Sequence, residues 1–191
     1  LYIGVKDTYP TLEHHNLVFS KNWDANFKSI FGGKKFPKDP SMYVCNPNKT
    51  DPAVAPKGHE NLFVLVPIAA GVRYDDEQLG SFIDQTLTTL ETTLHLSDLR
   101  KNIVFQKSFC VDDFESTYNT YRGSALGLAH TLRQTAVFRP RNQHKTIHNL
   151  LYVGANTVPG IGLPMCLISA ELAYKRIAND GSSGPLKTPV A

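Results

Sequence analysis

Short apolar runs in the first two thirds of the chain predict a β-sheet. In these runs apolar residues alternate with polar ones or follow one another without a break, and Gly, Pro and Asn separate the runs. Both patterns are typical of strands with at least one covered face. The predicted strands are residues 1–5, 16–20, 41–46, 61–67 and 103–109.

Three other segments carry apolar residues at helical spacing. Residues 24–31 are followed by a Gly pair, which favours the end of a helix. Residues 75–94 form the longest predicted helix, because an apolar stripe runs along it and three acidic residues occupy its first turn. A third helix is predicted to begin at Asp112 as its N-cap, with Glu115 as the capping-box partner.

Residues 149–177 predict a strand, a loop and a helix. The apolar run 150–153 is typical of a strand covered on both faces, and Gly and Pro break any regular pattern after it. Apolar residues recur at helical spacing from Leu163, and Pro164 is tolerated in a first helical turn. A strand end that faces a helix start favours a phosphate, a carboxylate or an electron-rich ring. A simple turn is the alternative, since the Gly-x-Gly-x-x-Gly spacing is missing.

Together these elements predict an α+β or α/β fold. The first part would be a mixed or antiparallel β-sheet with helices on one side, and the final strand, loop and helix would belong to a second layer. Residues 181–191 are Gly, Ser and Pro with few apolar residues, so we predict a disordered tail.

Composition narrows the possible partners. A chain of 191 residues with 41% hydrophobic and 19% charged residues can bury a sizeable core. Its net charge is only +3, and its basic residues are scattered outside residues 133–145, so we predict no nucleic-acid partner. No apolar run approaches the roughly 20 residues that a membrane-spanning helix needs.

Cysteine and histidine spacing predicts no metal site. The three cysteines, Cys45, Cys110 and Cys166, form no C-x-x-C pair and lie in apolar surroundings, which suits reduced residues of a cytosolic protein. Among the seven histidines, the adjacent pair His14 and His15 would point to opposite faces of a strand.

Several distinctive blocks of sequence run in order along the chain. They are residues 12–16 (LEHHN), 38–45 (KDPSMYVC), 50–56 (TDPAVAP), 61–67 (NLFVLVP), 112–115 (DDFE), 121–125 (YRGSA), 134–142 (QTAVFRPRN) and 154–164 (GANTVPGIGLP). In this order they resemble the blocks of the phytoene desaturase family, FAD-dependent enzymes that desaturate carotenoid precursors. The last block is similar to the C-terminal flavin-contacting motif of that family.

The resemblance implies a flavin-binding fold assembled from separated parts of the sequence. Residues 1–140 would form part of a substrate-binding domain. Residues 141–180 would complete a Rossmann-like FAD-binding fold whose nucleotide-binding part precedes Leu1. We therefore expect this C-terminal portion alone to be inactive and to bind FAD weakly or not at all. The implied flavin contacts are Gly154, Ala155, Asn156, Thr157, Pro159, Gly160, Ile161, Gly162, Leu163 and Pro164.

The resemblance also gives these residues physical tasks. Glycines would let the backbone approach the flavin closely, and the start of the last helix would face the flavin edge where negative charge accumulates on reduction. Asn156 and Val158 stand where family members commonly have Gly and His, so a side-chain proton role is not expected at Val158.

The implied reaction introduces double bonds into an acyclic carotenoid precursor such as phytoene. A hydride passes to the flavin, a proton leaves the neighbouring carbon, and a quinone or oxygen would reoxidise the flavin. Candidate channel residues are Phe63, Leu65, Phe82 and Phe138, which also suit an ordinary core. Arg139 is the catalytic candidate, because it could hold an anionic flavin or a quinone; a surface salt bridge is its alternative role.

An insoluble substrate implies a cytoplasmic protein that associates peripherally with a membrane surface. Two alternative functions stay open. A polyene isomerase or saturase would use the same flavin scaffold, whereas a non-redox module would bind an apolar ligand or a membrane surface.

Overall fold

The computed structural model of the chain describes residues 1–186, and residues 187–191 lie outside it. The chain divides into two compact units, the first spanning Leu1–Ser124 and the second beginning at Ala125. This division falls earlier than the boundary predicted after residue 140. Residues 187–191 of the predicted disordered tail lie outside the described residues, whereas at the end of the described part Leu186 N–H donates to Glu171 Oε1 at 2.8 Å. The tail is therefore held against the last helix at this point.

The first unit is built on a five-stranded sheet in which every neighbouring pair is antiparallel, with the order β2-β3-β4-β1-β5. Its strands are β1 (Tyr2–Val5), β2 (His15–Val18), β3 (Met42–Cys45), β4 (Glu60–Leu65) and β5 (Ile103–Lys107). All five coincide with predicted strands to within a few residues. Of the two predicted alternatives, a mixed or an antiparallel sheet, the mixed one was wrong, since no parallel pair occurs in the described residues.

The core lies between one face of this sheet and the longest helix. Along β4, Leu62 and Val64 are 2% and 1% exposed, whereas Leu65 on the opposite face is 44% exposed. Leu87 and Leu90 of that helix belong to the same buried cluster as the inward residues of the strands. Period-two alternation in the strands and an apolar helical stripe thus meet at one interface.

The helices are α1 (Trp23–Gly32), α2 (Asp76–Thr93), the single turn α3 (Leu99–Asn102), α4 (Val111–Tyr118) and α5 (Leu163–Ile177). Helix α2 begins with a capping box, because Asp75 Oδ1 accepts the Gln78 N–H at 2.8 Å and Gln78 Oε1 accepts the Asp75 N–H at 3.1 Å. These reciprocal bonds satisfy two amide groups that a helix start leaves unpaired.

The predicted cap of α4 was wrong by two residues. The N-cap is Cys110, whose N–H donates to Asp113 Oδ2 at 2.7 Å. Asp112 and Glu115 instead both accept from Arg73 Nη1, each at 3.1 Å. Two carboxylates that fit a capping pattern in sequence are therefore used for an exposed ion-pair cluster.

The second unit contains helix α5 and irregular segments. Helix α5 begins at Leu163 with Pro164 in its first turn, which confirms the predicted helix. The predicted strand at residues 150–153 was wrong. Leu151 makes only one isolated antiparallel bridge, to Gln143, and Val153 is 59% exposed. A buried strand needs a neighbour on each side, and the described part of the unit supplies only this one bridge, so no Rossmann-like sheet is formed by these residues.

Among the described helices, none combines the length and the apolar character that crossing a bilayer requires.

Candidate functional site

The sheet face opposite the core is unusually apolar for a partly exposed surface. We call it the open face; it consists of Tyr2, Gly4, His15, Leu17, Tyr43, Cys45, Asn61, Phe63, Leu65, Phe105 and Lys107. Leu17 and Phe105 are 62% and 57% exposed. The solvated face of an antiparallel sheet is ordinarily polar. A contiguous exposed apolar surface marks a site of interaction with a ligand or another surface.

Aromatic rings form the centre of the open face. The Phe63 ring centroid lies 5.4 Å from that of Tyr2 and 6.4 Å from that of Tyr43. Next to Tyr43 and Leu65 lies a groove of about 190 Å³ with an almost wholly apolar lining. Its lining residues also include Trp23, at the start of α1. The face therefore combines a flat aromatic surface with a shallow apolar groove.

The three predicted channel residues of the first unit do not share one surface. Phe63 and Leu65 lie on the open face. Phe82 lies on α2, is 9% exposed and stacks on Phe36 with ring centroids 4.3 Å apart. Phe138 belongs to the second unit and is 66% exposed. A substrate role for these residues stays a prediction, and only the first two are neighbours within one unit.

An exposed aromatic stripe runs along helix α1 and was not predicted as a site. Trp23, Phe27 and Phe31 are spaced four residues apart, and consecutive ring centroids are 5.6 and 6.2 Å apart. Phe19 extends the row, 5.7 Å from Trp23. Their exposed fractions lie between 45% and 67%. The helical period alone could have identified this stripe, but the same period also fits a buried face.

The second unit holds the loop that resembles a flavin-contacting motif. Gly154, Gly160 and Gly162 have φ values of +103°, +142° and +116°, a region that residues with a Cβ rarely adopt. At Gly160 an added Cβ would lie 2.8 Å from His130 Cε1. Asn156 Oδ1 accepts the Leu128 N–H at 3.0 Å. The loop is therefore fixed against the segment around residues 127–130.

Arg139 ties this loop together from inside the unit. Its side chain is 2% exposed. Its Nε donates to Thr157 O at 3.1 Å, and its Nη2 donates to Ala155 O. Further bonds reach Gln134 O at 3.0 Å and Leu128 O at 3.2 Å. The surface salt bridge was therefore wrong; a catalytic role for Arg139 stays a prediction.

A second buried anchor joins the loop to helix α5. Asn142 is fully buried, and its Nδ2 donates to Tyr152 O, Val158 O and Ser169 Oγ at 3.1–3.2 Å. Ser169 Oγ in turn accepts the Gly154 N–H at 2.9 Å. Sequence patterns did not identify Asn142 or Ser169, because a single buried polar residue leaves no trace in the spacing of apolar residues.

The start of α5 has the properties that a flavin would require of this segment. Its N-cap is Gly162, which has no side chain to satisfy the first-turn N–H groups. A Cβ built at Gly154 or Gly162 would meet no described atom within 4 Å. Leu163 and Leu167 are 84% and 73% exposed. Unpaired N–H groups beside open apolar surface fit the edge and the face of an electron-rich ring.

A polar cluster interrupts the open face. His14 and His15 were predicted to point to opposite sides of a strand, and this was wrong. His14 lies in a bend before β2, and the two ring centroids are only 4.2 Å apart. Cys45 is the cross-strand partner of His15. A hydrogen bond with Cys45, and then burial, raise the pKa of the Tyr43 hydroxyl.

The other two cysteines lie elsewhere. Burial raises the pKa of the Cys110 thiol, which is in addition hydrogen-bonded to Tyr74. Cys166 lies in the first turn of α5 and is partly buried. All three cysteines are free thiols.

Comparisons with known proteins identify relatives that match nearly the whole chain. A carotenoid 3,4-desaturase of Haloarcula japonica is 47% identical over 94% of this chain and 36% of its own length. A zeta-carotene-forming phytoene desaturase of Myxococcus xanthus is 40% identical over 93% of the chain and 34% of its own length. A 4,4'-diaponeurosporene oxygenase of Staphylococcus haemolyticus is 34% identical over 93% of the chain. The chain spans about a third of the length of these relatives. No protein-family model matches it.

Proposed function

Since this chain belongs to the carotenoid desaturase family and corresponds to a C-terminal portion of it, we propose that the protein that carries it is an FAD-dependent desaturase. Its substrate would be phytoene or a related acyclic carotenoid precursor. The observation that carries the proposal is a sequence identity of 34–47%, over at least 93% of the chain, to proteins whose names are those of carotenoid desaturases and a diaponeurosporene oxygenase. The open face supports it, because a polyene is recognised through apolar contact and through little else.

The loop and the start of α5 would hold the flavin. Bound FAD would accept the hydride that leaves the substrate. The positive φ values at Gly154 and Gly162 keep side chains out of the way, and the uncapped helix start offers N–H groups to the negative charge of the reduced ring. Arg139 and Asn142 would act through the loop, by fixing the backbone that contacts the cofactor.

The open face would hold part of the polyene. Tyr2, Tyr43 and Phe63 offer ring faces and edges, since the Phe63 centroid lies 5.4 and 6.4 Å from the other two, and the groove beside Tyr43 is almost wholly apolar. A long apolar chain placed on such a surface would gain roughly 25 cal/mol of binding free energy for each Å² of apolar area removed from water. We therefore expect substrate binding to depend on the aliphatic and aromatic character of this surface.

The reaction can be tested in a bacterial strain that accumulates phytoene and expresses the protein that carries this chain. Desaturation removes two hydrogen atoms per new double bond, oxygenation adds oxygen, and isomerisation leaves the mass unchanged. We expect products lighter than phytoene, together with flavin bound to the purified protein. Products of unchanged or higher mass would refute desaturation, and purification without flavin would refute the cofactor assignment.

Two matched variants test the open face. Leu65 and Val54 are both aliphatic and 44% and 42% exposed, but only Leu65 lies on the open face. We expect Leu65→Asn to lower the rate of product formation at limiting substrate at least fivefold, and Val54→Asn to leave it unchanged. Equal effects of the two changes would contradict a substrate role for this surface.

We propose in addition a cytoplasmic protein whose α1 stripe docks peripherally on a membrane. Trp and Phe are residues that favour the interfacial region of a bilayer. Four exposed lysines, Lys21, Lys28, Lys34 and Lys35, lie on or near α1 and would favour anionic lipids. A quinone dissolved in the same bilayer, or oxygen, would then be the acceptor of the electrons.

Flotation of the protein with anionic vesicles tests this docking. We expect binding with a blue shift of Trp23 fluorescence, and its loss in the double variant Phe27→Ser with Phe31→Ser. Leu132→Ser serves as the control, since Leu132 is 81% exposed but lies in the second unit. Binding that survives the double variant would refute the role of the stripe.

The exposed apolar surfaces also favour a second candidate, a non-redox module that binds an apolar ligand or a membrane. This candidate predicts vesicle or carotenoid binding without flavin and without any change in product mass. The strain experiment above separates the two, because only the desaturase yields new double bonds.

A further inference from the structure

A cluster of three metal-ligating side chains lies at one end of the open face. One ligating atom from each of His14, His15 and Cys45 can be chosen such that all three lie within 4.8 Å of one another. His15 and Cys45 are directly opposite each other in the β2–β3 pair. The bend at His14 turns its ring toward the same side, so that the two imidazoles are 4.2 Å apart. Three soft or borderline ligands thus converge from β2, β3 and the bend before β2.

Hydrogen bonds hold both imidazole rings in place. His14 Nδ1 lies 2.8 Å from Thr50 Oγ1, and His15 Nδ1 lies 2.8 Å from Tyr43 Oη. The Thr50 hydroxyl donates its hydrogen bond to Pro47 O at 3.3 Å. In the contact between His14 and Thr50, His14 Nδ1–H is therefore the donor. This leaves the lone pair on His14 Nε2 free. Outer-shell hydroxyls that fix the tautomer and the orientation of a ligating histidine are a regular feature of metal sites.

We propose that His14, His15 and Cys45 bind a divalent transition metal ion of the zinc type, with a fourth position left to water. Two imidazoles and one thiolate are ligands that Zn²⁺ takes in tetrahedral sites with an open position. Binding would form one Zn–S and two Zn–N bonds, and the Cys45 thiol would release its proton to solvent. The proposal is independent of the flavin, because it rests only on residues of the first unit.

The spacing of the ligands is compatible with this ion. Ligand atoms around tetrahedral zinc, at 2.0–2.1 Å for N and 2.3 Å for S, are roughly 3.3–3.6 Å apart. The cluster is therefore wider than a closed site by up to about 1.5 Å. His15 is exposed, and His14 and Cys45 are partly buried. Small rotations of these side chains can close the difference without moving the strands.

Cobalt provides the direct test, since Co²⁺ takes zinc sites and its thiolate bond absorbs in the near ultraviolet. The reduced, metal-free chain is titrated with Co²⁺ and then with Zn²⁺. We expect one equivalent of Co²⁺ to produce a thiolate-to-cobalt band together with visible bands of tetrahedral cobalt, and Zn²⁺ to remove both. A folded chain without the thiolate band would overturn the proposal.

Four variants identify the ligands. Cys45→Ser should abolish the thiolate band, whereas Cys166→Ser, which removes a partly buried thiol of the second unit, should leave it intact. His15→Gln should weaken Co²⁺ binding at least tenfold, and it decides the question if Cys45→Ser fails to fold. Thr50→Val removes an outer-shell bond and should weaken binding 10–100-fold. A thiolate band that persists in Cys45→Ser, or His15→Gln binding as tight as the unmodified chain, would overturn the site.

Discussion

Replacing Arg139 by Met should release the loop at residues 154–162 while leaving the first unit unchanged. The side chain is 2% exposed, and its three nitrogens donate to four backbone carbonyl groups. Two of the carbonyls, those of Ala155 and Thr157, belong to the loop itself. Methionine fills much of the same volume but donates nothing, so the carbonyls would be left without these partners inside the unit.

The magnitude follows from the contacts. A hydrogen bond from a charged donor contributes about 1.5–3 kcal/mol, and four such bonds give a nominal total of about 6–12 kcal/mol. Burial of the guanidinium offsets part of this, as does water that reaches the carbonyls after the change. We therefore expect local opening of the loop to become easier by about 3–5 kcal/mol. Arg139→Lys should lower the free energy of loop opening by less than Arg139→Met does, because an ammonium keeps the charge but lacks the planar fork that reaches several acceptors.

Native-state hydrogen exchange measures this opening directly. The amides of Thr157 and Val158 donate to Gly154 O at 3.3 Å and Pro140 O at 3.0 Å, so both report on the closed loop. Since 1.4 kcal/mol is a factor of ten in an equilibrium constant, about 3 kcal/mol corresponds to exchange roughly a hundredfold faster. The control is Arg141→Met, at an exposed neighbouring position. Exchange in Arg139→Met within threefold of this control would refute the idea that Arg139 holds the loop.

Three further substitutions and one labelling experiment test the packing of the first unit. Leu90→Ala, at a fully buried position, should cost about 2–5 kcal/mol in urea unfolding monitored through Trp23 fluorescence; a loss below 1 kcal/mol would contradict the assigned core. Asp75→Ala removes a cap of α2 and should cost about 1 kcal/mol by the same assay, whereas no change would show that the cap is dispensable. Gly123→Ala should cost more than about 1 kcal/mol, because φ is +63° and the new Cβ would lie 2.1 Å from Val111 O. Burial raises the pKa of the Cys110 thiol, so at pH 8 a smaller fraction of it is thiolate than in an exposed cysteine. Because Cys110 is also buried and Cys166 only partly buried, iodoacetamide should alkylate Cys110 more slowly than Cys166. Faster alkylation of Cys110 would be inconsistent with its burial.

The elements of the first unit could be predicted because their signals are local. An antiparallel sheet with one face on a helix produces alternation that is visible in four or five residues, and β4 shows it with Leu62 and Val64 inward and Leu65 outward. The start of helix α2 is likewise a local feature, because Asp75 and Gln78 form its capping box three residues apart. The order of the strands, and the choice between a mixed and an antiparallel sheet, could not be predicted, because both depend on which distant strands meet.

Side chains with two plausible uses were where sequence patterns failed. Asp112 and Glu115 have capping-box spacing, yet Arg73, distant in sequence, takes both carboxylates, and Asp113 receives the cap hydrogen bond instead. His14 and His15 would alternate only if both were on the strand, and a bend at His14 removes that condition. Arg73 lies 39 and 42 residues from the two carboxylates, beyond the reach of any local pattern.

The run at residues 150–153 shows a different limit. Its apolar residues predict a strand that is covered on both faces, a state that needs neighbouring strands to satisfy the backbone and covering elements to bury the side chains. Among the described residues only the bridge between Leu151 and Gln143 forms, and Tyr152 and Val153 remain 40% and 59% exposed. The adjacent loop nevertheless keeps its shape through Arg139 and Asn142, whose partners all lie within the second unit. The geometry that would contact a flavin is thus encoded locally, whereas the sheet that would support it is not.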